Sequence, residues 1–131
     1  MPVIVSVGGA GGSAVTVNFI IDGGGSAITT GIKGDIVIDF GCNIQSVTML
    51  ADQSGSIVVD IWKDTYSNFP PDDDDTITGG AEPTIAAATK SQDTSLVGWE
   101  TAIASGDILR FNVDSAATVT RVTVSLVLLR T

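Results

Sequence analysis

The alternation of apolar and polar residues is sharpest between Gln53 and Lys63, where Ile57, Val59 and Ile61 alternate with Val58, Asp60 and Trp62. A two-residue period places one set on one face of a strand, so Ile57, Val59 and Ile61 are expected in a core. The polar stretch Asp52-Gln-Ser-Gly55 supplies turn chemistry and is expected to form a short hairpin into this strand. The same period recurs along the chain. Ala14–Ile21 reads as a strand ended by Asp22 and three glycines, and residues 27–33 read as a loop rich in Thr and Gly. Asp35–Phe40 puts Ile36, Ile38 and Phe40 on one side and Asp35, Val37 and Asp39 on the other. Ile44–Ala51 is the next strand. Ile108–Asp114 turns Leu109, Phe111 and Val113 inward, Ser115–Ala117 reads as a turn, and Val119–Leu129 is a long final strand. Ile103 begins a short strand or turn.

Between Asp64 and Leu96 the pattern fades. Tyr66, Phe69, Pro70 and Pro71 suit a compact loop, and Asp72–Asp75 is a charge run that must be exposed. Glu82–Lys90 reads as a short helix with Thr84 as its cap. Long connections on rigid β scaffolds are where function tends to sit.

Roughly seven or eight strands separated by Gly, Ser and Asp turns, without crossover helices, predict an all-β fold: an antiparallel β-sandwich, jelly-roll-like. Residues 1–13 are expected to form a short apolar arm with a Gly-rich linker, and residues 14–131 the β-sandwich domain. Val3, Ile4 and Val5 are the arm's expected contacts. Two readings of the arm stand side by side: it docks on a neighbouring copy or larger assembly, or it is an edge strand of its own sheet, a place that suits Pro2.

Composition narrows the function. Hydrophobic residues make up 44% and charged residues 16% of 131 residues, enough for one domain with a continuous core. Fifteen acidic residues against six basic ones give a net charge of −9. That balance argues against nucleic acid and against anionic membranes as partners, since both need clustered Lys or Arg. No apolar run approaches the ~20 residues that cross a bilayer, and the N-terminus lacks the positive region of a signal peptide. A protein made in the cytoplasm follows as the expectation.

The absence of histidine excludes Ser-His-Asp and Cys-His catalysis. A single cysteine, Cys42, forbids an internal disulfide and offers no zinc site; beside Phe40 and Ile44 it reads as a small buried hydrophobe. Most aspartates fall at turns or on outward positions, so a facing carboxylate pair for glycoside hydrolysis is not expected. The chain therefore reads as no enzyme, with no cofactor. Asp72, Asp73, Asp74 and Asp75 are weak candidates for Ca²⁺, a cation that takes several oxygens, but their spacing fits no EF-hand loop and a solvated loop explains them. Trp62, Tyr66, Phe69 and Trp99 hold most of the aromatic content. They plug one end of the domain, or they make a partner contact or a sugar-stacking platform.

Longer stretches carry a resemblance. Gly24–Gly34, Leu50–Asp64, Phe69-Pro-Pro71, Thr76-Ile-Thr78, Gly98-Trp99, Gly106–Ser115 and Thr118–Thr123 resemble a β-sandwich domain of tailed-bacteriophage virion proteins, over about residues 15 to 131. The resemblance marks no catalytic residue. It implies a structural protein of the virion. In that family the domain often ends longer appendage proteins such as tail fibres. An arm joined to a bare domain looks more like a capsid decoration or head-fibre protein, present in many copies, as a homotrimer, on the major capsid protein or other virion proteins. The alternative it implies is a tail-fibre tip that recognises host surface glycans.

Overall fold

The computed structural model describes residues 12–131. Val3, Ile4 and Val5 lie outside the described residues. Seven strands follow in order: β1 (Ala14–Asp22), β2 (Gly31–Ile38), β3 (Cys42–Asp64), β4 (Thr84–Asp93), β5 (Ala102–Ile103), β6 (Asp107–Ala117) and β7 (Arg121–Arg130). Every pairing is antiparallel. Among the described residues the helical content is one 3-10 turn, Asp73–Asp75. The fold is thus all-β and antiparallel, as the alternation predicts. Its strands belong to one sheet in the order β1-β7-β3-β6-β2, with β4 and β5 also on β3. The sheet curls into a half-barrel around its apolar face.

β3 makes the curl. Its first part, Cys42–Ala51, pairs with β7, and its second, Ser56–Asp64, pairs with β6. The hairpin expected at Asp52–Gly55 does not form; the strand runs through and exchanges partners there. The polar residues serve the bend instead. The Asp52 carboxylate accepts from the backbone N–H groups of Thr120 and Arg121, each at 3.0 Å, and from the Thr120 hydroxyl. Gln53 donates to the Thr118 carbonyl at 2.7 Å. Both side chains therefore hold the β6–β7 turn against the point where β3 changes neighbours. β6 also runs on through Ser115–Ala117, where a turn was expected.

Two further expectations change. Residues 27–33 are not all loop, because β2 begins at Gly31 and carries a bulge between Ile32 and Gly34. Glu82–Lys90 is not a helix. Thr84–Asp93 is strand β4, paired to β3 from Val47 to Val58 with two irregularities. Helix propensity in Ala86-Ala-Ala88 is a weak preference, and pairing along the exposed side of β3 outweighs it. Ile85, buried at 1% exposure, anchors the strand.

The interior is aliphatic. Ile57, Val59 and Ile61 are fully buried, together with Leu109, Phe111 and Val113 of β6 and Val122, Val124, Leu126 and Leu128 of β7. Each such side chain contributes about 1.5–3 kcal/mol by leaving water. Cys42 is buried among them, and burial pushes its thiol pKa up, which removes the reactive thiolate.

Candidate functional site

The outer face of β3, β6 and β2 carries the polar residues of the alternation in cross-strand rows. Trp62 pairs with Arg110 and Arg110 with Asp35; Asp60 pairs with Asn112 and Asn112 with Ile32. Residues directly opposite on neighbouring strands lie close enough for their side chains to touch. The segment after β3 reaches over this face at Pro70 and Pro71 and then runs back along the edge of β3. Ile77 N–H donates to the Ile61 carbonyl at 3.0 Å, and Val59 N–H to the Pro83 carbonyl at 3.0 Å. Asp60 and Trp62, which alternation alone would leave in water, become buried at 8% exposure each.

Between the rows and the returning loop lies a groove of about 790 Å³. Asp60, Trp62 and Asn112 line it from β3 and β6, Pro70 and Pro71 from the loop, and Ile32 from β2. Arg110, Asp114, Asp72 and Asp73 add charge along it.

Asp60 organises the floor. Its Oδ1 accepts from Ile61 N–H at 2.8 Å, the Thr76 hydroxyl at 2.6 Å and the Thr78 hydroxyl at 2.9 Å. Its Oδ2 accepts from the Trp62 indole N–H at 3.0 Å. A buried carboxylate needs such donors to offset lost hydration. Arg110 is equally committed. Its Nε and Nη2 donate to the two Asp35 oxygens at 2.7 and 3.1 Å, and its guanidinium lies 5.1 Å from the Phe69 ring centre. The hydrogen bonds that Arg110 donates to Asp35 raise the Arg110 pKa, so the cation stays charged. Asn112 donates to Asp114 at 2.8 Å.

The four aromatic candidates separate. Trp62 forms part of the groove. Tyr66 stands 84% exposed on the turn after β3, and Phe69, 43% exposed, lies under Arg110. Trp99 is half-buried and donates its indole N–H to the Ala81 carbonyl at 3.0 Å. Among the described residues the one stacked ring pair is Phe19 with Phe111, inside the core, so these four make no stacked platform. The residues that do converge, Asp60, Arg110, Asn112 and Asp114, were not singled out by sequence. The available signal was the outer set of the β3 and β6 alternation.

Asp72–Asp75 forms a capped turn. Asp72 accepts from Asp74 N–H at 3.0 Å, and Asp75 accepts from Asp72 N–H at 2.9 Å. Oxygens of Asp72, Asp73 and Asp74 lie within 4.8 Å of one another, all exposed, and so do those of Asp60, Glu82 and Asp114. Both sets offer carboxylate oxygens, the ligand type that hard cations take, and exposed acidic groups commonly stand this close without an ion. In the second set Asp60 already accepts four hydrogen bonds, and Asp114 and Glu82 each accept one, from Asn112 at 2.8 Å and from the Thr78 hydroxyl at 3.5 Å. Among the described residues no helix is long and apolar enough to cross a membrane. Comparison with protein-family models, with curated proteins and with solved structures finds no match to this chain.

Proposed function

We propose that the protein is a non-enzymatic structural component of a tailed-phage virion, a capsid decoration or head-fibre protein that sits on the particle exterior as a homotrimer. The observation that carries this reading is the use made of the motif residues. Asp52 clamps the β6–β7 turn, Asp60 collects four donors, and Arg110 is held bidentately by Asp35. These three charged residues are thus engaged in framework bonds, which supports a structural role for them. A domain whose polar motifs maintain its own shape suits a building block. The partners on this reading are the major capsid protein and other copies of the chain. Imaging of purified particles with the protein labelled tests it: label distributed over the head is the expected result, and particles without label overturn it. Removal of residues 1–12 tests the arm, since unchanged occupancy would exclude it as the anchor.

The groove favours a second reading, recognition of host surface glycans by a tail-fibre tip. Indole, carboxylate and carboxamide groups along one cleft are the chemistry that binds sugar hydroxyls. Reproducible binding on a glycan array, lost in Asn112→Ala, would select this reading; no binding leaves the first.

A further inference from the structure

The opposite part of the sheet carries a different surface. On the outer face of β1, β7 and β3, Thr16, Val127 and Ser46 form one cross-strand row, and Asn18, Ser125 and Thr48 the next; Thr123 lies beside Leu50. None of these side chains is charged, in a chain with fifteen acidic residues and six basic ones. The carboxylates of Asp35, Asp60, Asp72, Asp73 and Asp114 stand on or around the groove face instead. Along the β4 margin this face sinks into a hollow of about 410 Å³ lined by Thr48, Leu50, Ser91, Gln92 and one charged residue, Lys90, with Leu50 half exposed.

We propose that this face is where a second copy of the chain docks. Two copies at net charge −9 repel, and an approach through the groove face sets carboxylates against carboxylates. Most of the β1-β7-β3 face brings together hydroxyl, amide and aliphatic groups; its charges are the opposed Asp22 and Arg121 at one end and Lys90 at the β4 margin. Sheets pack face to face at about 10 Å, a distance that short side chains such as Ser, Thr and Val fill. The hollow beside Leu50 gives a partner side chain a place to enter at the margin of the contact.

Sedimentation of the full chain over a concentration series tests this. The expected result is a defined oligomer whose association does not weaken as salt is raised, because no ion pair holds it. Thr48→Glu and Ser125→Glu, each singly, should weaken association by more than about tenfold, and Val37→Glu, on the exposed outer side of β2, should leave it unchanged. A chain that stays monomeric at every concentration overturns the proposal. So does a folded Thr48→Glu or Ser125→Glu variant that associates like the parent, or an association that falls steeply with salt. If neither variant folds, the salt series on the unaltered chain decides. The proposal rests on the homotrimer of the virion reading and is separable from its place on the particle: a monomer that decorates particles discards this face and the homotrimer but keeps the virion role, and an oligomer that labels no particle discards the virion role alone.

Discussion

The ring of Phe19 lies flat on the ring of Phe111, centres 4.2 Å apart and planes 7° from parallel. Phe19 belongs to β1 and Phe111 to β6, strands that are not neighbours in the sheet. The contact therefore crosses the interior and shows that the sheet has curled far enough for its two parts to face each other. A Cβ built on Gly34 of β2 would come 3.0 Å from the Phe19 ring, so a larger residue there would press on the stacked pair. Phe19→Ala and Phe111→Ala should each cost about 3–5 kcal/mol by leaving a cavity. In a double-mutant cycle by urea unfolding the pair should show coupling of about 0.5–1.5 kcal/mol. Additive losses would mean that the rings act only as separate fillers.

Gly55 marks the partner exchange of β3. A Cβ at this position would lie 2.6 Å from the Ala117 carbonyl oxygen and 2.9 Å from Val119 Cγ1. The constraint is close approach of the β6–β7 turn, not a left-handed backbone. Gly55→Val should destabilise by about 1–3 kcal/mol through overpacking. Val119→Ala, which removes one of the two clashing groups, should recover part of the loss. A Gly55→Val protein as stable as the parent would show that the turn moves away freely.

Strands were legible in the sequence where one face is buried and the other is wet. Ile57, Val59 and Ile61, and likewise Leu109, Phe111 and Val113, point inward because a period of two leaves no other arrangement with a single core. β4 was not legible. Its burial pattern has one fully buried position, Ile85, so no alternation marks it, and Ala87 even adopts φ of 48°. The continuity of β3 was hidden because Asp52-Gln-Ser-Gly55 has turn chemistry, and the bend it serves depends on a turn some 65 residues later. The groove was hidden for a related reason. Asp60, Asn112 and Ile32 become neighbours only through the registers of three strands, which no local pattern contains.

Asp60 should be the most sensitive polar residue of the groove. Asp60→Ala leaves the Trp62 indole N–H and the Thr76 and Thr78 hydroxyls without their acceptor, at about 1–3 kcal/mol for each buried group left unpaired. A total loss of more than about 2 kcal/mol in urea unfolding is expected. Asp60→Asn keeps one carbonyl oxygen for the threonines but turns an N–H₂ group toward the indole, so it should fall between the parent and Asp60→Ala. A loss below about 0.5 kcal/mol for Asp60→Ala would mean that water replaces the carboxylate without penalty.

Asp52 contributes to the acid sensitivity of the fold. The Thr120 hydroxyl, with the backbone N–H groups of Arg121 and Thr120, lowers its pKa from 3.8 to about 2. A lowered folded-state value means that the ionised carboxylate favours the fold. That contribution is complete above the unfolded value of 3.8 and is lost as pH falls through about 2. Asp52→Asn should therefore lower Tm by a constant margin near neutral pH, and the gap to the parent should close as pH is taken down toward 2. Thr120→Val removes the largest cause of the shift and should narrow the pH window, because the Asp52 pKa then returns toward its ordinary value. Thermal melts of the three proteins over a pH series make the measurement. A gap between parent and Asp52→Asn that is the same in acid as at neutral pH would assign the clamp to hydrogen bonds that do not depend on the charge. In that case the turn between β6 and β7 would hold β3 at its bend whether or not the carboxylate is ionised.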